Sequence, residues 1–123
     1  MTSDQKIVLV VEDEEETADM LAEMLKVSGY AVVSSTHSQN AIDIIKEQPL
    51  SAIILDIMLP GTSGLEVLRF VRQTPQFTEL PVVVVSAKAM PADIKAGIEA
   101  GATAYLTKPV SYNELKKAVE KAI

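Results

Sequence analysis

An aspartate, Asp56, closes the apolar run Ala52-Ile53-Ile54-Leu55 and is followed at once by Ile57-Met58-Leu59-Pro60-Gly61. A carboxylate at the exit of a buried strand is placed for chemistry, because ligands of open α/β sheets bind at strand ends. Glu12 and Asp13 end a second apolar run, Ser86 ends a third and Lys108 closes a fourth. Two carboxylates about 4 Å apart repel by roughly 4 kcal/mol at an effective dielectric of about 20, and three repel more. A fold keeps such a cluster when a cation or a proton relieves it. With oxygen ligands alone the expected cation is Mg²⁺, which takes one or two carboxylates, keeps waters and accepts phosphate oxygens. A hydroxyl and an ammonium beside such a metal suit phosphoryl chemistry, which is mostly positioning and charge neutralisation. Asp56 is then a candidate nucleophile.

The elements that position these residues alternate five times between strand and helix patterns. Apolar runs cover residues 7–11, 31–33, 52–55, 82–85 and, more weakly, 104–106. They are continuous, as in strands buried on both faces of a parallel sheet. Helical periodicity follows each one. The first helix, about 14–27, puts Ala18, Leu21, Ala22 and Leu25 on one face; the second, about 38–47, puts Ala41, Ile44 and Ile45. The third starts near Gly64 with Leu65, Leu68 and Val71. The fourth opens at Pro91, a favoured first-turn residue, and shows Ile94, Gly97 and Ile98. The fifth opens on Ser111-Tyr112-Asn113-Glu114, a capping box, and repeats Leu115, Ala118, Val119 and Ala122.

The expected fold class is α/β, a (βα)₅ doubly wound parallel sheet of five strands in the flavodoxin-like order 2-1-3-4-5. That order makes strands 1 and 3 neighbours about 4.8 Å apart, so Asp13 and Asp56 face each other. It sets Ser86 beside Asp56 and puts strand 5 about 10 Å from strand 3, within most of the reach of a lysine.

The chain has 123 residues, 48% hydrophobic and 23% charged, which reads as a single domain over 1–123 with its own core. It has no cysteine, hence no disulfide framework or thiolate metal site, as expected for a cytoplasmic protein. The segment Met1-Thr2-Ser3-Asp4-Gln5-Lys6 lacks a signal-peptide pattern. The net charge is −6, and Glu12, Asp13, Glu14, Glu15, Glu16, Asp19 and Glu23 follow one another with no basic residue between them. Such a surface disfavours nucleic acid and anionic membranes and favours cations and basic partners. The single histidine, His37, reads as a loop residue after the second strand.

The residues resemble the receiver domain of two-component response regulators over nearly the whole chain. The resemblance lies in Val10-Val11-Glu12-Asp13, in Leu55-Asp56-Ile57-Met58-Leu59-Pro60-Gly61-Thr62-Ser63-Gly64, in Val85-Ser86-Ala87-Lys88-Ala89 and in Tyr105-Leu106-Thr107-Lys108-Pro109. It implies that Asp56 is a phosphoacceptor supplied by a phosphohistidine on a histidine kinase or histidine phosphotransfer protein. It implies Mg²⁺ held by Asp13, Asp56 and the backbone carbonyl of Met58, with Glu12 acting through a metal-bound water. Ser86, the Ala87 amide and Lys108 would hold the phosphoryl oxygens, and the Lys108-Pro109 bond would be cis. Tyr105 would turn inward as Ser86 moves, and the face of the fourth helix, fifth strand and fifth helix would control a downstream protein target. Lys116, Lys117 and Lys121 in the last helix, and Val110 after the Lys-Pro pair, argue for a monomer or weak dimer.

Such a switch turns over no separate substrate. Three other readings fit the architecture less well. A flavodoxin-type cofactor binder needs a Ser, Thr or Gly-rich loop where Glu12-Asp13-Glu14-Glu15-Glu16 stands. An aspartate-based, Mg²⁺-dependent phosphatase usually carries Asp-x-Asp after the first strand, which Asp13-Glu14-Glu15 does not supply. A binding module that is never phosphorylated has no use for the set Asp56, Ser86 and Lys108.

Overall fold

A computed structural model describes residues 5–59 and 63–123. The N-terminal segment 1–4 and the expected turn at Pro60-Gly61, with Thr62, lie outside the described residues. The elements run β1 (Ile7–Val11), α1 (Glu15–Val27), β2 (Ala31–Ser35), α2 (Ser38–Glu47), β3 (Leu50–Leu55), α3 (Gly64–Gln73), a 3₁₀ turn (Pro75–Phe77), β4 (Val82–Ser86), α4 (Pro91–Glu99), β5 (Ala104–Thr107) and α5 (Tyr112–Ala122). All strand pairs are parallel, as the alternating pattern implies, and the order is β2-β1-β3-β4-β5, the common order for five such strands.

The continuous apolar runs are buried on both faces because alternate residues feed two separate cores. Leu9, Val11, Ile53, Leu55, Val82 and Val84 pack with Ala41, Ile45, Val67, Leu68 and Val71 of α2 and α3. Val8, Val10, Ala52, Ile54, Val83 and Val85 pack on the other side with Leu21 and Leu25 of α1 and Leu115 and Val119 of α5. The edge strand β5 is half-buried along its length. The registers place Val11 opposite Leu55, Leu55 opposite Val84 and Ser86 opposite Thr107.

Helix ends follow their sequence signals. Ser63 caps α3 by accepting from the Leu65 amide, and Ser111 and Glu114 form the expected capping box of α5. The buried face of α1 is Ala18, Leu21, Ala22 and Leu25, as its periodicity indicates. Helix α4 departs from expectation. Of Ile94, Gly97 and Ile98 only Gly97 is buried, and Ile98 is 46% exposed. The physical reason is steric: α4 meets the sheet through the ring of Tyr105, which occupies the place a Cβ on Gly97 would need.

Candidate functional site

Glu12, Asp56 and Lys108 each stand one residue beyond a strand, Asp13 stands two beyond β1, and Ser86 is the last residue of β4; ladder hydrogen bonds hold the backbones of the first three. The Glu12 amide donates to Ser35 O on β2 at 3.0 Å, the Asp56 amide to Val11 O on β1 at 3.0 Å, and the Lys108 amide to Ser86 O on β4 at 2.9 Å. The side chains therefore leave the sheet from fixed points along one edge. Glu12 and Asp56 are 2% and 5% exposed and Ser86 is fully buried, whereas Asp13 is exposed.

Lys108 brings the acids together. Its Nζ donates to Glu12 Oε1 at 2.7 Å and to Asp56 Oδ2 at 2.8 Å. The other oxygen of each carboxylate takes a backbone amide: Glu14 N on Glu12 Oε2 at 3.2 Å, and Met58 N on Asp56 Oδ1 at 2.8 Å. Burial pushes the Glu12 carboxyl above its usual range; the hydrogen bonds from Lys108 and the Glu14 amide oppose this, and the charge of Asp56 adds to it. For Lys108 burial acts downward, but its bonds to Asp56 and Glu12 outweigh it, so its ammonium is held above the ordinary value. Lys108 is thus a cation at neutral pH, set between two nearly dry carboxylates.

Glu12, Asp13 and Asp56 each offer a carboxylate oxygen within 4.8 Å of the others. An all-oxygen donor set with one exposed member fits a hard divalent cation that keeps part of its water shell. One ammonium leaves the three acids incompletely neutralised.

A second set of bonds links the site to the loop before α4 and to β5. Ser86 Oγ accepts from the Lys88 amide at 3.2 Å, and the Tyr105 hydroxyl donates to Lys88 O at 2.7 Å. One residue thus joins the two hydroxyls through its own backbone. Burial raises the Tyr105 phenol above its usual range, the Ser86 hydroxyl pulls the other way, and the charges of Asp93 and Asp56 add to the rise. Ala87 follows Ser86 directly and is exposed. The Lys108-Pro109 peptide is cis.

The Response regulator receiver domain model matches residues 8–120. The chain belongs to the response regulator receiver family. Receiver domains of solved structure superpose on it closely. A protein described as a candidate response regulator from Chloroflexus aurantiacus is 33% identical, with a TM-score of 0.93 covering 97% of this chain and 98% of that one. The chemotaxis response regulator CheY4 of Vibrio cholerae is 25% identical, with a TM-score of 0.90 over 97% and 99% of the two chains. A response regulator receiver domain protein from Clostridium thermocellum is 26% identical, with a TM-score of 0.87 over 96% and 94%. The receiver family implies signalling through acceptance of a phosphoryl group.

Glu12, Asp56, Ser86 and Lys108 of this receiver gather at one edge, with Asp13 beside them and Met58 bonded to Asp56. His37 plays a local part: it is the N-cap of α2, its Nδ1 accepting from the Asn40 amide at 3.3 Å. Two positioning residues were not legible as such: Gly64 lies against the Asp56 backbone and Gly97 lies against Tyr105. Glu12 was named from the sequence, but its sharing of Lys108 with Asp56 was not. An isolated glycine within a helical pattern is the signal that points to close packing.

Proposed function

We propose that this chain, as a single receiver domain over 1–123, is a phosphorylation-activated switch whose acceptor is Asp56. The observation that carries the reading is the Lys108 ammonium bonded at 2.8 Å to a nearly buried Asp56. A carboxylate oxygen of Asp56 attacks the phosphorus of a phosphohistidine on a histidine kinase or phosphotransfer protein. A P–O bond forms and the P–N bond breaks, its electron pair returning to the donor imidazole.

Asp13, Asp56 and the Met58 carbonyl are the residues that would hold Mg²⁺, with Glu12 reaching it through water. The ion supplies positive charge to the phosphoryl oxygens. Lys108 neutralises one of those oxygens, while the Ser86 hydroxyl and the Ala87 amide donate to the others. Ser86 and Tyr105 pass the change to the α4–β5–α5 face, which controls a downstream protein. No separate substrate is turned over. We place the protein in the cytoplasm as a monomer or weak dimer.

Acetyl phosphate, a small donor, tests the assignment by intact mass. One adduct is expected, requiring Mg²⁺ and absent from Asp56→Asn. An adduct that persists in that variant overturns the assignment.

A further inference from the structure

Arg72, in the last turn of α3, makes four hydrogen bonds and none goes to an acid. Its Nε donates to Gly101 O at 2.9 Å, its Nη1 to Leu80 O at 2.7 Å and Thr78 O at 3.0 Å, and its Nη2 to Thr103 Oγ1 at 3.4 Å. Thr103 is itself fastened to the start of β4: its hydroxyl accepts from the Val82 amide at 3.0 Å and its amide donates to Val82 O at 2.8 Å. The aliphatic part of Arg72 crosses Gly101, where a Cβ would stand 2.7 Å from Cγ. Gly101 has a φ of +112°, a conformation that glycine adopts without strain. One side chain thus ties the end of α3, the entry to β4 and the α4–β5 connection.

The two ends of α4 are held differently. Its C-terminal end is closed by Ala100 N to Ala96 O, Gly101 N to Ile98 O and Ala102 N to Gly97 O, and Arg72 fixes that turn to the body of the protein. Its N-terminal end follows an exposed loop, residues 87–90, and its N-cap Met90 makes no side-chain cap bond. The Lys88 bonds to Ser86 and Tyr105 tie that loop to the phosphoryl edge.

We infer that Arg72 is the anchor about which α4 turns: the Arg72–Gly101 clamp fixes the helix's C-terminal end, so that a change at Ser86 and Tyr105 swings its N-terminal end. Nine residues at about 1.5 Å each make a lever about 13 Å long. A turn of about 10° at the anchor then moves the far end by about 2 Å. The inference rests on the switch reading in one respect, that occupancy of Asp56 is felt at Ser86.

Amide hydrogen exchange of the whole Mg²⁺-supplemented protein, with and without beryllofluoride as a phosphoryl mimic, tests it. In the native sequence the mimic should alter protection across 87–94 by about fivefold or more and leave 99–104 within about twofold. Arg72→Met should lower protection of 99–104 about tenfold without the mimic and let the mimic's effect spread there. Arg72→Lys, which keeps one donor group, should fall between the two and carries the comparison if Arg72→Met does not fold. Adduct formation with acetyl phosphate should be unchanged in a folded variant, since Arg72 touches none of the acceptor's partners. Equal responses at both ends of α4 in the native protein, or native protection of 99–104 in Arg72→Met and Arg72→Lys, overturns the anchor. A native protein that forms no adduct defeats the switch reading instead, while the clamp is still judged by the variants without the mimic.

Discussion

A Cβ on Gly64 would lie 2.3 Å from the carbonyl oxygen of Asp56 and 2.6 Å from the Cα of Ile57. Both are backbone atoms, so neither can step aside alone. Helix α3 therefore begins flush against the acceptor's own peptide, and the Gly64 amide donates to Ile57 O at 3.0 Å. Gly64→Ala should cost about 2 kcal/mol in urea unfolding, in the range for overpacking. It should also slow adduct formation at Asp56 by displacing the carboxylate. Native stability together with a native rate would show that the Asp56–Ile57 peptide yields freely.

Lys108→Met should leave Glu12 and Asp56 facing each other without their shared cation. Their side chains are 2% and 6% exposed, so water does little of the screening. Removing one partner of a buried ion pair costs about 3–5 kcal/mol. Urea unfolding without magnesium should show a loss of that order. Added magnesium should restore more stability to the variant than it gives the native protein, because a ligand of the folded state stabilises by mass action.

Tyr105 should register in an alkaline titration. Its folded value lies above the ordinary 10.0, chiefly through burial. Between those two values the folded state holds a proton that the unfolded state has released, so stability falls as pH rises through the window. The contribution is complete below about 10 and is lost above the folded value. Tyrosinate absorbance should show a late-titrating phenol that Tyr105→Phe removes, and that variant should lose less stability over the same pH range.

Gly97→Ala sets two effects against each other. A Cβ there would meet the Tyr105 ring at 2.7 and 2.8 Å. Overpacking costs about 1–3 kcal/mol, and alanine regains about 0.5–1 kcal/mol of helix preference. The net change should be a loss of about 0–2.5 kcal/mol, and the visible result should be displacement of the ring. Tyr105 should become more accessible to solvent and lose its bond to Lys88 O, read from its ring proton shifts. A ring left in place would mean that α4 moves instead.

The strands of the sheet were legible because β1, β3 and β4 are mostly continuous apolar runs with no competing pattern; their order was not, and followed from the common arrangement of five such strands. The acids were legible for the same reason: Glu12, Asp13 and Asp56 interrupt apolar runs at their ends, which propensity alone does not explain. Helix α4 was read less well. Its periodicity pointed to Ile98, but a helix that seats an aromatic ring against a glycine buries that glycine and leaves the flanking isoleucine outside. The role of Arg72 carried no local sign, because its partners Thr78, Leu80, Gly101 and Thr103 offer it backbone carbonyls and a hydroxyl. Such bonds depend on where the loops pass, and a linear pattern does not record that.

The strand registers have a further consequence for what the edge can admit. Leu55 is level with Val84, so Asp56 is level with Val85, and Ser86 stands one residue higher, opposite Thr107. The edge is a staircase with Asp56 on the lowest tread, Ser86 one residue up and the Lys108 backbone, just past Thr107, one residue higher again. One residue of rise is about 3.3 Å. The step therefore gauges height as well as charge: a proton on Asp56 would not reach the Ser86 level, whereas a tetrahedral group linked through oxygen would.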